Sequence, residues 1–177
     1  MKTYIYSILL SLLMIVTSCS KEDNCDNPVD CLPPETQSGV GTFGCLVNGE
    51  IFKPGGSQFS GPTQQANYNI DLEGELFFSL IAINNNSNKA IGINISGIEI
   101  IEGDAYDLRY DEQNSKLVIY DSGSSTYETG RDYSGEIEFT KFDDINGIIS
   151  GKFWFDAINE KGEIVEIREG RFDMKYN

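Results

Sequence analysis

Between Thr42 and Tyr176 the apolar residues of this chain recur at every second position, in short runs separated by clusters of Gly, Asn, Asp and Ser. That is the period a β-strand needs to set one face on a core and the other in water. No segment carries the 3.6-residue period of a helix. Glu136 to Phe142 alternates cleanly, with Ile137 and Phe139 inward. Phe172, Met174 and Tyr176 alternate with Arg171, Asp173 and Lys175, and Ile149, Phe153, Phe155 and Ala157 share one face of 148–158. Asn48-Gly49 joins Thr42–Val47 to Glu50–Lys53 as a hairpin, because both positions of a type I′ turn need positive φ. Leu76 to Ile83 is apolar on both faces, which predicts a central strand covered on both sides. Ile91, Ile93 and Ile95 have one parity and Ile98 and Ile100 the other, so a bulge or bend is expected at Gly97. Residues 121–133, rich in Ser, Gly and Thr, read as a loop, and 163–167 and 170–176 read as two strands. Short loops between neighbours predict an all-β antiparallel meander of about 8–10 strands, forming a sandwich or a lipocalin-like barrel.

Charge and one missing residue type narrow the function. Lys and Arg number 13 against 28 Asp and Glu, for a net charge of −15, and there is no histidine. Nucleic-acid binders draw their affinity from cations on phosphates, so nucleic acid is not an expected partner. Without histidine there is no Ser-His-Asp or Cys-His machinery and no histidine metal ligand. Carboxylates are the only abundant acid–base groups. A hydrolase would need two of them facing across a substrate.

The N-terminus reads as an address. Lys2 precedes an apolar run from Ile5 to Val16 that is too short to span a bilayer, which takes ~20 residues. The run ends in Val16-Thr17-Ser18-Cys19, which resembles the bacterial lipoprotein box: a branched apolar residue, two small residues and the cysteine that is lipidated. Residues 1–18 are thus expected to be a lipoprotein signal peptide, 19–40 an acidic, proline-containing flexible tether, and 41–177 a single all-β domain. Cys19 is the expected lipidation site, and acyl chains there make the membrane the first expected partner. Ser20-Lys21-Glu22-Asp23 resembles the export signal of surface lipoproteins. This predicts a surface-exposed outer-membrane protein, with a periplasm-facing one as the alternative.

Once Cys19 is lipidated, Cys25, Cys31 and Cys45 remain, an odd number. Cys25 and Cys31 flank a turn-prone stretch, where a local disulfide and two free thiols are both compatible with the spacing. Cys45 lies in an apolar strand and is expected to be a buried free thiol. Asp143-Asp144-Ile145-Asn146-Gly147 has the oxygens for calcium but not the spacing of an EF-hand loop, and a β-turn explains it equally well. Tyr120, Tyr127, Tyr133 and Trp154 could form an aromatic sugar platform or pack in the core and at its rim. Trp154 has the opposite parity to Phe153 and Phe155.

Two stretches carry a family likeness. One is Thr42-Phe43-Gly44-Cys45-Leu46-Val47-Asn48-Gly49, followed by Phe52-Lys53-Pro54. The other is Ile149-Ser150-Gly151-Lys152-Phe153-Trp154-Phe155-Asp156-Ala157, leading to Glu169-Gly170-Arg171-Phe172-Asp173-Met174-Lys175-Tyr176. Together they resemble Bacteroidota lipoproteins of the DUF6252 group. The resemblance implies an all-β envelope lipoprotein and carries over no catalytic residues.

The expected function is a lipid-anchored cell-envelope protein acting as a binding or structural module, with a glycan, a small molecule or an envelope protein as partner. A small-molecule or glycan-binding β-barrel with an internal cavity is the alternative, and a carboxylate-based hydrolase the third reading. No catalytic residue and no cofactor is expected.

Overall fold

The structure, a computed structural model, describes residues 25–59, 61–70, 72, 74–110 and 116–176. One turn of 3-10 helix, Pro28–Cys31, comes first. It is followed by strands β1 (Thr42–Val47), β2 (Glu50–Phe52), β3 (Gln64–Ile70), β4 (Leu76–Asn84), β5 (Lys89–Ser96), β6 (Ala105–Asp107), β7 (Lys116–Asp121), β8 (Thr126–Glu128), β9 (Gly135–Asp143), β10 (Ile148–Ile158) and β11 (Ile164–Lys175). Among the described residues the ladders between these strands are antiparallel, as the alternation and short turns require, and two isolated bridges, Gly55 with Asn84 and Ala66 with Tyr176, are parallel. The sheet runs in the order β2-β1-β11-β10-β8-β7-β5-β4-β3, with β9 and β6 branching from β10. It curls into a half-barrel and folds over its own apolar face. Phe78 on β4 thereby meets Phe139 on β9 at 5.0 Å and Phe172 on β11 at 6.3 Å. Ile91, Ile93 and Ile95 fill the same interior from β5. Among the described residues no helix is long and apolar enough to cross a membrane.

The Asn48-Gly49 turn has both φ values positive, at 50° and 83°. At Gly97 (φ 73°) the chain leaves β5, and Ile100 returns to the core on the other parity. Four readings need correction. Residues 121–133 contain β8, whose Tyr127 sits opposite Tyr120; three strand residues among Ser, Gly and Thr carry too little pattern to show. β4 lies between β3 and β5, but its second face is covered only in part: Ser79 is buried and Phe77 and Ile83 half-buried, while Ile81 is 39 % exposed. Strand β9 does not alternate to its end. Ser150 pairs with Lys141 while Gly151 pairs with Phe139, leaving Thr140 as an extra residue. That resets the parity, so Phe142 turns inward to stack on Tyr176.

The fourth correction concerns β11, one twelve-residue strand and not two. Phe153 pairs with Gly170 but Phe155 with Ile167, so Arg168 and Glu169 together oppose Trp154. This bulge shifts the inward set from Val165 and Ile167 to Phe172 and Met174, all four buried. Glu169 takes the left-handed conformation (φ 54°) that the extra residue demands. Gly170 lies flat on Phe153: a Cβ there would come within 2.5 Å of both its ring and its carbonyl. Gly170→Ala is expected to destabilise the domain by about 2–3 kcal/mol through overpacking, read as a lower midpoint in urea unfolding. An unchanged midpoint would mean that the bulge is slack.

The packed body begins well before β1. Cys25 and Cys31 are disulfide-bonded, with Cα atoms 5.7 Å apart. Cys31 and Leu32 are buried, and Pro33 packs on Gly44. Residues 36–40 then lie over β11 and bond to one side chain. Asp173 points to the outer face, between inward Phe172 and Met174, yet it is only 1 % exposed. Its carboxylate accepts from Thr36 Oγ1 (2.7 Å), Ser150 Oγ (2.7 Å), and the backbone N–H groups of Gly39 (2.7 Å), Ser38 (3.0 Å) and Val40 (3.4 Å). Burial acts to raise its pKa. The hydrogen bonds from Thr36, Ser150, Ser38 and Gly39 outweigh that and hold the carboxyl below its ordinary 3.8.

Asp173→Ala strands these donors, and the expected loss is about 2–4 kcal/mol. In a domain of this size that lowers Tm by roughly 5–15 °C. The sign of the pH effect follows from the lowered pKa. Asp173 contributes fully above the unfolded value near 3.8 and loses its contribution as pH falls through the lower folded value. Acid titration of wild type against Asp173→Asn should therefore show curves that run parallel above about pH 5 and converge below about pH 4. Curves that stay parallel throughout would refute this role.

Candidate functional site

The outer face of the sheet is polar over much of its area, with exposed aliphatic side chains on its strands at Ile51, Ile70, Ile81 and Ile164. On β10 that face also carries Trp154, the chain's one tryptophan. It faces outward because Phe153 and Phe155 beside it face in, and 37 % of it is exposed. The β11 bulge sets Arg168 opposite, with its guanidinium carbon 5.5 Å from the Trp154 ring centre, in the range of a cation–π contact. Arg168 is itself fixed. It donates to the carbonyls of Phe155 (3.1 Å) and Ile167 (2.9 Å) and pairs with Asp156 (2.6 Å) and Glu166 (3.5 Å). The indole is therefore backed by a planar cation tied to the backbone, which favours one ring orientation.

Around this pair runs a groove of about 360 Å³ over β9, β10 and β11. Its rim is a ladder of ion pairs. Lys152 meets Glu138 at 3.3 Å, and Arg171 meets Glu169 at 3.2 Å and Glu35 at 3.9 Å. Glu35 comes from the N-terminal segment that Asp173 holds down, so that segment supplies one wall. The Lys152–Glu138 pair is exposed on both sides and contributes little to stability, at most about 1 kcal/mol, whereas the Arg171 side chain is largely covered. What the pairs provide is a set of flat hydrogen-bonding groups of both signs beside an aromatic face. The volume falls in the range of small-molecule sites, about 300–1,000 Å³.

A larger cleft of about 560 Å³ lies between the β7–β8 and β10–β11 turns. Two of its polar side chains are engaged within their own turns: Asp121 Oδ1 accepts from the N–H of Gly123, and Asn159 Oδ1 from the N–H groups of Lys161 and Glu163. No aromatic side chain lines it, so it offers a ligand less than the Trp154 groove does.

The four aromatic residues singled out in the sequence do not form one platform. Tyr120 is buried and packs with Tyr127 at 5.8 Å against the core, while Trp154 stands on the outer face. In the Asp143–Gly147 turn, Asp143 accepts from Asn146 N (3.0 Å) and Asn146 Nδ2 (2.8 Å), the pattern of a closed turn. Among the described residues no group of three or more His, Cys, Asp or Glu could hold a metal ion. Cys45 is free and buried, and desolvation pushes its thiol far above the usual range, which leaves it unreactive. Cys19 lies outside the described residues. Arg168, Arg171, Lys152 and Glu35 were not visible as site residues in the sequence. The signal that could have found the first two is the parity reversal between Ile167 and Phe172, the same test that located the bend at Gly97.

No curated protein and no solved structure matches the chain. One family model does, the domain of unknown function DUF6252, over residues 58–174, which takes in β9, β10 and all but the last residue of β11. The chain therefore belongs to the DUF6252 family.

Proposed function

We propose that this protein is a lipid-anchored cell-envelope binding module, held to the outer membrane through Cys19 and presenting the Trp154 groove to its partner. The observation that carries the binding reading is the half-exposed Trp154, set on a polar face and held there by an arginine with four partners of its own. Trp154 points away from the buried cluster that Phe153 and Phe155 join, so the core does not call for an indole at that position. The anchoring reading rests on Val16-Thr17-Ser18-Cys19, and the outer-membrane, surface-facing reading on Ser20-Lys21-Glu22-Asp23.

A ligand inside the barrel is less favoured, because the inward positions are filled by side chains such as Phe78, Phe139 and Phe155, all fully buried. Hydrolysis is less favoured because it takes two free carboxylates, and three of the groove's four, Glu35, Glu138 and Glu169, are engaged in ion pairs with Arg171 and Lys152.

Membrane fractionation tests the anchor. Cys19→Ala is expected to move the chain from the membrane pellet to the soluble fraction while leaving its thermal midpoint unchanged. A Cys19→Ala chain that stays in the pellet overturns lipidation at this residue.

A further inference from the structure

We infer that the ligand of the Trp154 groove is a neutral, hydroxyl-rich sugar ring; this rests on the proposed binding role of that groove. The aromatic component points to a flat apolar partner. An exposed indole face with fixed orientation suits the C–H face of a pyranose, which stacks on it without desolvating a charge. The rim then selects among ligands that can stack. Lys152, Arg168 and Arg171 supply three cations, and Glu35, Glu136, Glu138 and Glu169 supply four carboxylates, so the groove is close to neutral. Most of these charges already have partners of the opposite sign.

An anionic ligand would have to displace a carboxylate from each arginine and approach a chain of net charge −15. A cationic ligand stacked on the indole would be repelled by the guanidinium of Arg168, 5.5 Å from the ring centre. A neutral polyol meets neither obstacle. Its hydroxyls both donate and accept, so they can bridge guanidinium and carboxylate without breaking the pair, and vicinal hydroxyls match the forked geometry of both groups. The same charge argument disfavours a nucleotide, whose base could stack but whose phosphates would be repelled.

Trp154, as the only tryptophan, makes the test direct. The full chain in detergent is titrated with cellohexaose, maltohexaose and mannohexaose, and separately with an oligogalacturonate, while Trp154 emission and acrylamide quenching are followed. At least one neutral probe is expected to shift the emission to the blue and shield the indole. Its affinity should change less than about twofold with added salt. By calorimetry Trp154→Ala should bind roughly tenfold or more weakly, with Trp154→Phe recovering part of the loss. Binding undiminished in Trp154→Ala overturns the inference, as does the absence of shielding by every neutral probe at millimolar concentration. If the oligogalacturonate alone binds, or a photo-crosslinker at Lys152 captures a ligand that is not a sugar on intact cells, the neutral-sugar inference falls and the binding role stands. If neither sugars nor the crosslinker report a ligand, both fall.

Discussion

A strand paired on both edges cannot slide to accommodate its side chains, and β11 is paired along its length with β1 on one side and β10 on the other. Its apolar residues nevertheless have two parities, Val165 and Ile167 odd, Phe172 and Met174 even. In an unbroken strand one pair would face water, forfeiting about 1.5–3 kcal/mol per side chain. A single extra residue resolves the conflict, at the cost of about 1–3 kcal/mol for Glu169 in a left-handed conformation. The rest of the sheet is built outward from this arrangement. The same extra residue sets Arg168 over Trp154 and turns Glu169 toward Arg171, so the groove follows from the way the core was completed.

A buried carboxylate performs the corresponding task on the outer face. Among the described residues Asp173 has no cation partner; it is satisfied by Ser150 of β10 and by hydroxyl and amide donors from a segment with few apolar residues of its own. Replacing water with five aligned donors lets a charge be buried and at the same time fixes where residues 36–40 must lie. With the Cys25–Cys31 disulfide and buried Leu32, this makes a proline-containing segment without periodicity part of the body.

The sequence disclosed what local chemistry decides. Alternation identified most strands, Asn48-Gly49 the first hairpin, and the parity change at Gly97 the end of β5. It concealed what depends on pairing across distance. β8 is three residues long and is defined by its contact with β7. The continuity of β11 is visible only once β10 shows which of its residues face each other. The Asp173 clamp joins positions more than 130 apart in the chain, and no periodic signal connects them. Trp154 was legible as outward-facing from its neighbours' parity, but its partners Arg168, Arg171 and Glu35 belong to other elements and came to light with the fold.

The early start of the packed body has a bearing on standoff. With residues 25–40 held against the sheet, the slack left to the proposed anchor is the short stretch between Cys19 and Cys25. Even fully extended, six links reach only about 20 Å. A lipid at Cys19 would therefore moor the domain close to the headgroups on a short line, with the disulfide end down. Glu35 belongs to that same moored segment, so a groove with that wall would be kept within the breadth of one domain from the membrane.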